Sequence, residues 1–159
     1  MIKWLVEKWI DKKNENIKGS TANSKQLASK IIEDYDIKDK CDVDRFVNDK
    51  MGYKLDEFAG LKDIQQDLNY TKQRDWKGDC DDFSMVAYRL LEQLGYNPKL
   101  LTLVPLKIWI SHVVCVFKED DKIYYISTEG LQGSFNDIQE IKDFKNYIIA
   151  AHDIRKVKQ

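Results

Sequence analysis

A lone cysteine lies in an acidic stretch of the chain, Gly78-Asp79-Cys80-Asp81-Asp82-Phe83-Ser84, and a histidine, His112, follows 32 residues after it. Thiolate is the nucleophilic form of cysteine, and a neighbouring imidazole can take the proton of a thiol and later return it to a leaving group. These two residue types suit nucleophilic attack on a carbonyl carbon if the fold brings them together.

Cys80 is predicted to begin a buried helix. Asp79 suits the N-cap of this helix, and Asp82 occupies the position where a capping box has an acid. The apolar residues that follow recur at helical spacing and end before Gly95; they are Phe83, Val86, Ala87, Leu90, Leu91 and Leu94. Because Cys80 lies on the same face, we expect its sulfur to point toward the elements that the helix covers.

The helix N-terminus and the nearby aspartates have opposite effects on the ionisation of the Cys80 thiol. A helix N-terminus favours a thiolate by only about 0.3–1 kcal/mol at an exposed end. Asp79, Asp81 and Asp82 are nearby carboxylates that disfavour it, although they also read as ordinary charge complement of a helix start. A reactive Cys80 therefore needs a histidine partner. Calcium bound by these acids is a less favoured alternative, and no metal is expected.

His112 is predicted to lie in a strand over residues 108–117, on the face of Val114 and opposite to Cys115. Glu119 to Lys122 form a polar turn, which predicts an antiparallel hairpin with a strand over 123–127. If the hairpin is symmetric, Glu129 lies across from His112 and Ser127 lies diagonally to it, on the same face. A polar trio is expected there.

The other elements follow from apolar spacing and capping residues. Helices are expected after Ser24 and Asp42, a strand over 100–106, a short helix capped by Asn136, and a last strand over 147–151. Helices come first and the sheet follows, which favours an α+β domain. Residues 2–10 have helical spacing and are expected to dock on the domain, with a polar linker over 18–23.

Composition narrows the classes of partner. The 26 Lys and Arg nearly cancel the 27 Asp and Glu, which gives no reason to expect nucleic acid. Neither a signal peptide nor an apolar run of the ~18 residues that span a membrane is visible. Cys41 and Cys115 are expected in the core, and three cysteines are too few and uneven for a disulfide framework, which makes the cytoplasm the default location.

These residues carry a resemblance. The stretch around Cys80, the run Ser111-His112-Val113-Val114-Cys115-Val116-Phe117 and the run Tyr124-Tyr125-Ile126 resemble the transglutaminase-like superfamily of cysteine hydrolases, in particular its bacterial cysteine peptidases. The similarity extends over roughly residues 53 to 135. It implies a papain-like α+β core, with Cys80 as nucleophile and His112 as general base acting on an amide carbonyl through a thioester.

The third catalytic position departs from the family. The family usually has an aspartate about where this chain has Ser127, and Glu129 follows two residues later. A hydroxyl can accept a hydrogen bond from imidazole but cannot stabilise its positive charge as a carboxylate does. Glu129 substitutes, or catalysis is weakened, or the chain is an inactive binding module. Loss of the orienting carboxylate from a related triad costs about 10⁴ in turnover.

The sequence thus predicts a single transglutaminase-like domain over residues 1–159, with an N-terminal helix and linker over 1–23 and a catalytic core over 53–135. The expected activity is hydrolysis of amide bonds in a peptide or protein substrate, without a cofactor. Acyl transfer to an amine, as in a true transglutaminase, is a further alternative. Trp76 and the backbone N–H of Cys80 are candidate oxyanion neighbours, with ordinary packing an equal alternative for Trp76.

Overall fold

The computed structural model describes residues 18–53, 66–105 and 112–147, the backbone of 149–153, and Trp4, Leu5, Glu7 and Lys8. Its helices are α1 (Thr21–Asp34), α2 (Lys40–Lys50), α3 (Leu68–Gln73), α4 (Cys80–Gln93) and α5 (Ile138–Phe144). Its strands are β1 (Gly52–Tyr53), β2 (Lys77–Gly78), β3 (Lys99–Val104), β4 (His112–Glu119), β5 (Lys122–Ser127), β6 (Gly130–Phe135) and β7 (Ile149–Asp153).

Five strands form one antiparallel sheet in the order β6-β5-β4-β3-β7, and β1 and β2 form a separate parallel pair. The Cys-bearing helix α4 packs on this sheet, against β4 above all. The predicted α+β class, with helices first and a cysteine helix on an antiparallel sheet, is confirmed. No sequence pattern indicated β6, because its residues are mostly polar or glycine and only Phe135 at its end is buried.

The predicted hairpin between β4 and β5 is confirmed with its register. Cys115 pairs with Ile126 and Glu119 pairs with Lys122, as symmetry about Asp120 and Asp121 requires. Both aspartates have a positive φ, of 51° and 61°. Two left-handed residues give the turn whose twist matches the flanking strands, and aspartate tolerates this conformation better than most residues.

Helix α1 begins one turn before the predicted cap. Its N-cap is Ser20, whose side chain accepts a hydrogen bond from the backbone N–H of Asn23. Ser24 is instead a buried residue of the helix, and its hydroxyl donates to Oδ1 of Asn69 at 2.9 Å. The prediction was wrong because Ser20 and Ser24 both suit a cap, and only the contact with α3 assigns Ser24 to the interior.

Two other helix starts differ from the prediction in the same way. The N-cap of α2 is Asp39 and not Asp42, which lies in the first turn and accepts from the backbone N–H of Lys38 at 2.9 Å. The N-cap of α5 is Asp137 and not Asn136. Neighbouring aspartates and asparagines have nearly equal capping preference, so the local sequence does not choose between them.

The sheet has an apolar cluster on each face. One cluster joins α1, α2 and α4 to the β4 side chains Val113, Cys115 and Phe117. The other contains Val114 and Val116 of the same strand. The alternation along β4 therefore separates two layers, and α4 covers the face of Val113 and Cys115.

A buried ion pair ties α4 to the segment before α3. The Arg89 guanidinium is 1% exposed and donates to both carboxylate oxygens of Asp67, at 3.0 and 2.8 Å. The residue before Asp67 is Gln66, and its Nε2 donates a hydrogen bond to Oδ2 of Asp82 at 3.0 Å. These bonds fix the position of the helix that carries Cys80, because a buried charge or amide without its partner is costly.

At the N-terminus, the described residues are helical, as predicted, but they do not pack in the core. Leu5 is 54% exposed, contrary to the expected docking, and Trp4 is 53% exposed. Ile2, Val6, Trp9 and Ile10 lie outside the described residues. Of the predicted linker, residues 21–23 belong to α1. No helix in the described part of the chain is both long and apolar enough to span a membrane.

Gly78 is required by a close contact with the helix start. A Cβ atom at this position would lie 2.5 Å from Cβ of Asp82, far inside contact distance. Gly78→Ala is expected to displace the first turn of α4 and to lower the free energy of unfolding by about 1–3 kcal/mol, as overpacking does. Urea denaturation followed by circular dichroism measures this change.

Gly52→Ala is the matched control, because the nearest atom to its added Cβ would be Cγ of Lys77 at 3.8 Å. It should stay close to wild type. Equal stabilities for Gly78→Ala and Gly52→Ala would contradict the proposed contact with Asp82.

Candidate active site

The first turn of α4 is held by the predicted capping box. The Asp79 side chain accepts the backbone N–H of Asp81 at 3.1 Å, and Oδ2 of Asp82 accepts the backbone N–H of Asp79 at 3.1 Å. Asp82 is fully buried, so its carboxylate lies under the turn and not on the surface. Cys80 is the first residue of the helix, as predicted, with its thiol partly buried against the core.

Two contacts attach this turn to the start of β4. The Ser84 hydroxyl donates to the carbonyl oxygen of Val113 at 2.8 Å, and the backbone N–H of Val113 donates to the sulfur of Cys80. Val113 directly follows His112, which is the first residue of β4. The fold therefore places the thiol beside the strand position next to the histidine, although 32 residues separate them in sequence.

The face of β4 that α4 covers differs from the prediction. His112 shares its parity with Val114 and Val116, as expected, but α4 covers the opposite face, where Val113 and Cys115 lie. Cys115 lies on the strand face opposite to that of Val114 and Val116, as predicted, and this is the face that α4 covers; its assignment to the core is confirmed. Cys80 meets β4 at Val113, the residue after His112, and Asp81 of the same helix turn acts on the pKa of His112.

The imidazole of His112 is largely buried at the start of β4. Its Nε2 atom is buried and has no hydrogen-bond partner within the described part of the structure. Burial holds the pKa of His112 below its ordinary value; the negative charges of Glu129 and Asp81 act in the opposite direction, and the Lys145 ammonium lowers the pKa further. The neutral form is therefore favoured, and neutral imidazole is the basic form.

The thiol of Cys80 is also neutral at rest. Burial is the main reason that its pKa is raised far above the ordinary value, and the carboxylates of Asp81 and Asp79 add to it. The thiol donates a weak hydrogen bond to Oδ1 of Asp81 at 3.6 Å. The N–H of Val113 favours the thiolate but does not outweigh these effects. The predicted opposition of the aspartates to the thiolate is thus present.

The two candidates for the third catalytic residue, Ser127 and Glu129, lie in different environments. Ser127 ends β5 and is fully buried, and its hydroxyl accepts the backbone N–H of Glu129 at 3.1 Å. The Glu129 carboxylate is 40% exposed and pairs with Nζ of Lys145 at 3.3 Å. Glu129 raises the pKa of His112 through its charge, which is the effect expected of a substitute for the missing aspartate. Their roles in catalysis stay predictions.

Trp76 has a clear packing role. Its ring meets Phe46 edge to face at a centroid distance of 5.6 Å, and its carbonyl oxygen accepts the N–H of Gly52 at 2.8 Å. Its φ of 59° is unusual for a tryptophan and marks a tight turn before β2. These contacts agree with the packing alternative, and the oxyanion role stays a prediction.

Sequence patterns did not indicate two tyrosines, Tyr53 and Tyr147, that lie near the Cys80 thiol. Burial and the charges of Cys80, Asp79 and Asp81 raise the pKa of Tyr53, and burial, Glu129 and Cys80 raise that of Tyr147. Such proximity depends on tertiary structure, and neither residue belongs to a recognisable motif. The pairing of Tyr53 with Gly78 across β1 and β2 was the missing information.

The remaining reactive residues lie elsewhere or outside the description. Cys41 is exposed at the start of α2, so its predicted place in the core was wrong. Cys41 faces solvent at the N-terminus of its helix, whereas Cys80 at the start of α4 packs against β4. Trp109, which the sequence predicts on the strand face opposite to His112, and the side chain of His152, which it predicts at the surface, lie outside the described residues.

A metal site needs more ligands than this region supplies. The potential ligand atoms of Asp79, Cys80 and Asp81 lie within 4.8 Å of one another. Calcium takes about six to eight oxygen ligands, and a thiol is a poor ligand for so hard a cation. These three residues alone do not define a calcium site, and the absence of a required metal stays a prediction.

Comparison with known proteins gives similarity in fold. No protein-family model and no curated protein sequence matches the chain. Calcium-bound Legionella pneumophila LapG is 20% identical, with 76% of this chain and 71% of LapG covered and a TM-score of 0.49. EGTA-treated LapG is 18% identical over 69% of this chain and 71% of LapG, also with a TM-score of 0.49.

A protein of Parabacteroides distasonis, described as a candidate protease, is 12% identical over 80% of this chain, with a TM-score of 0.50. The match spans 30% of that longer chain. At these identities the likeness is one of overall fold, and it agrees with the α+β architecture described above.

The charge of Asp81 can be tested directly. Asp81→Asn removes a carboxylate that raises the pKa of Cys80, so the thiolate fraction at a fixed pH should rise by about tenfold. The sign follows because a lower pKa gives more thiolate at any pH below it. The measurement is the rate of iodoacetamide labelling of Cys80 at pH 8, by mass spectrometry of its peptide.

Exposed Cys41 serves as an internal reference in the same sample, and Asp42→Asn is the control because that residue also lies in the first turn of a helix. This control should leave Cys80 unchanged. A labelling rate of Cys80 that is unchanged or slower in Asp81→Asn would contradict the assigned electrostatic effect.

Proposed function

We propose that this protein is a cysteine hydrolase that cleaves amide bonds of peptides or proteins, with Cys80 as nucleophile and His112 as general base. The observation that carries the proposal is the junction of α4 and β4. There the Cys80 sulfur accepts the N–H of Val113, next to a histidine whose Nε2 is buried and unpartnered in the described structure. These positions support a reaction that uses Cys80 as nucleophile and His112 as base, with water partly excluded.

The chemistry proceeds in two halves. The Cys80 sulfur attacks the carbonyl carbon as its proton passes to Nε2 of His112, and the resulting imidazolium then protonates the departing amine. This leaves a thioester between Cys80 and the acyl part of the substrate. Water attacks the thioester, His112 takes a proton from that water, and the proton returns to sulfur as the carboxylic acid departs.

The resting charge state fits a proton transfer that accompanies attack. The raised pKa of Cys80 keeps the thiol protonated at neutral pH, and the lowered pKa of His112 keeps the imidazole neutral. Because the base must be neutral, activity is retained as the pH falls from neutrality and is lost as it passes below the lowered pKa of His112. A preformed thiolate–imidazolium pair is not needed.

Groups around the pair can support the charges that form. The backbone N–H of Cys80 lies at a helix N-terminus, where amides favour a developing oxyanion. Glu129 supplies negative charge that favours the imidazolium, and the buried Ser127 hydroxyl holds the backbone N–H of Glu129. A half-exposed glutamate paired with Lys145 is a weaker support than a buried aspartate, so turnover below that of a complete triad is expected.

The similarity to solved structures is compatible with this function. The fold is shared with a protein described as a candidate protease, which suits a peptide or protein substrate. Membership of the transglutaminase-like superfamily is part of the same proposal and rests on the Cys80 stretch and His112. Acyl transfer to an amine would use the same thioester, with an amine in place of water.

One observation favours a second candidate, an inactive binding module on the same fold. The pKa of Cys80 is raised by burial and by two carboxylates, which is the environment of an unreactive thiol. In this alternative, the surface around Cys80 would bind a polypeptide without cleaving it. The two candidates differ in whether Cys80 forms an acyl intermediate.

Cleavage of fluorescently labelled casein tests the enzyme directly. Cys80→Ala and His112→Ala should each lower the rate by about 10³-fold or more, because the loss of one member of a catalytic unit costs nearly as much as the loss of the whole unit. Cys41→Ala, which removes an exposed cysteine, should retain the activity. Circular dichroism checks that each variant is folded.

Acylation of Cys80 by p-nitrophenyl acetate, detected by mass spectrometry, tests the same pair without dependence on peptide specificity. A wild-type protein that neither cleaves casein nor becomes acetylated at Cys80 would contradict the hydrolase and leave the binding module. Acylation that is equally fast in His112→Ala would contradict the assignment of the base.

A further inference from the structure

An exposed aromatic ring stands beside the candidate nucleophile. Tyr53 pairs with Gly78 across the parallel strands β1 and β2, and Gly78 precedes Cys80 by two residues. On its other side, the Tyr53 ring lies 6.4 Å from the ring of Phe83, one helical turn after Cys80 on the same face of α4. Tyr53 thus contacts residues that precede and follow Cys80 in sequence, Gly78 through backbone pairing and Phe83 through its ring.

The ring of Tyr53 faces solvent to an unusual degree. Tyr53 is 60% exposed, more than any other large hydrophobic residue in the described part of the chain, whereas Phe83 beneath it is 5% exposed. Burial, followed by the charges of Cys80, Asp79 and Asp81, raises the pKa of Tyr53, which agrees with its position near the first turn of α4. The ring of Tyr53 is therefore supported by Phe83 and is otherwise largely exposed.

We infer that Tyr53 is a specificity-determining residue whose ring binds an aromatic or large apolar side chain of a polypeptide substrate beside the bond to be cleaved. The inference rests on the proposed function for the identity of the reaction. Tyrosine offers a large, rigid contact surface that loses little conformational entropy on binding, and aromatic pairs add to the burial of area. The Phe83 support keeps this surface in place.

Two alkylating agents test the contact independently of turnover. Iodoacetamide has no side chain to bind, whereas N-benzyl iodoacetamide carries an aromatic ring that is joined to the reactive carbon through an amide and a methylene group. The ratio of their rates at Cys80, each divided by the rate with N-acetylcysteine, reports binding of the benzyl group close to the thiol. Tyr53→Ala should lower this ratio by about three- to tenfold, from the usual strength of an aromatic pair.

Conservative and matched variants separate this role from a structural one. Tyr53→Phe should keep the ratio, because it retains the ring. Tyr35→Ala should also keep it, because Tyr35 is a comparable surface tyrosine, 52% exposed, whose ring packs on Phe46 and not on Phe83. Circular dichroism verifies the fold of each variant.

An unchanged ratio in Tyr53→Ala, an equal fall in Tyr35→Ala, or failure of N-benzyl iodoacetamide to label wild-type Cys80 would overturn the inference. The proposed function fails by a different result, the absence of casein cleavage and of Cys80 acetylation in the wild type. A ratio that depends on Tyr53 in a protein without either activity would support the aromatic contact and refute the hydrolase.

Discussion

The attachment of the first turn of α4 to the start of β4 is the constraint on which the site depends. The Ser84 hydroxyl on the carbonyl of Val113, and the N–H of Val113 on the Cys80 sulfur, join two segments that are distant in sequence. Asp82 holds the same turn from below through the Asp79 N–H and the Gln66 amide. Without this junction, Cys80 would be one more cysteine at a helix end, as exposed Cys41 is.

Burial at this junction has opposite consequences for the two reacting groups. It raises the pKa of the thiol and lowers that of the imidazole, and both shifts favour the uncharged pair. Asp81 strengthens the first shift and opposes the second. The site is therefore arranged for a proton that moves as the carbonyl carbon is attacked. In this respect it differs from sites where a preformed imidazolium activates a thiolate.

Local sequence information predicted what depends on local rules. The capping box at Asp79, the length of α4, the turn at Asp120 and the register of β4 on β5 follow from side-chain chemistry and period, and the structure confirms them. It did not identify the starts of three helices, because several capping residues compete, nor β6, whose few apolar residues carry no alternation. The face of β4 covered by α4 and the place of Tyr53 beside Cys80 depend on tertiary packing, which no local pattern encodes.

The most direct test of the central claim, that His112 is the base for Cys80, is the pH dependence of iodoacetamide labelling of Cys80 in wild type and in His112→Ala. The account predicts that the wild-type rate rises with pH in a first step as His112 becomes neutral, with a midpoint below the ordinary histidine value of about 6.5, and rises again at higher pH as the thiol itself ionises. In His112→Ala the first step should be lost, and the rate should stay low at neutral pH and increase only as the thiol itself ionises. Replacement of the other histidine, His152, should preserve the wild-type profile. Superimposable profiles for wild type and His112→Ala would contradict the account.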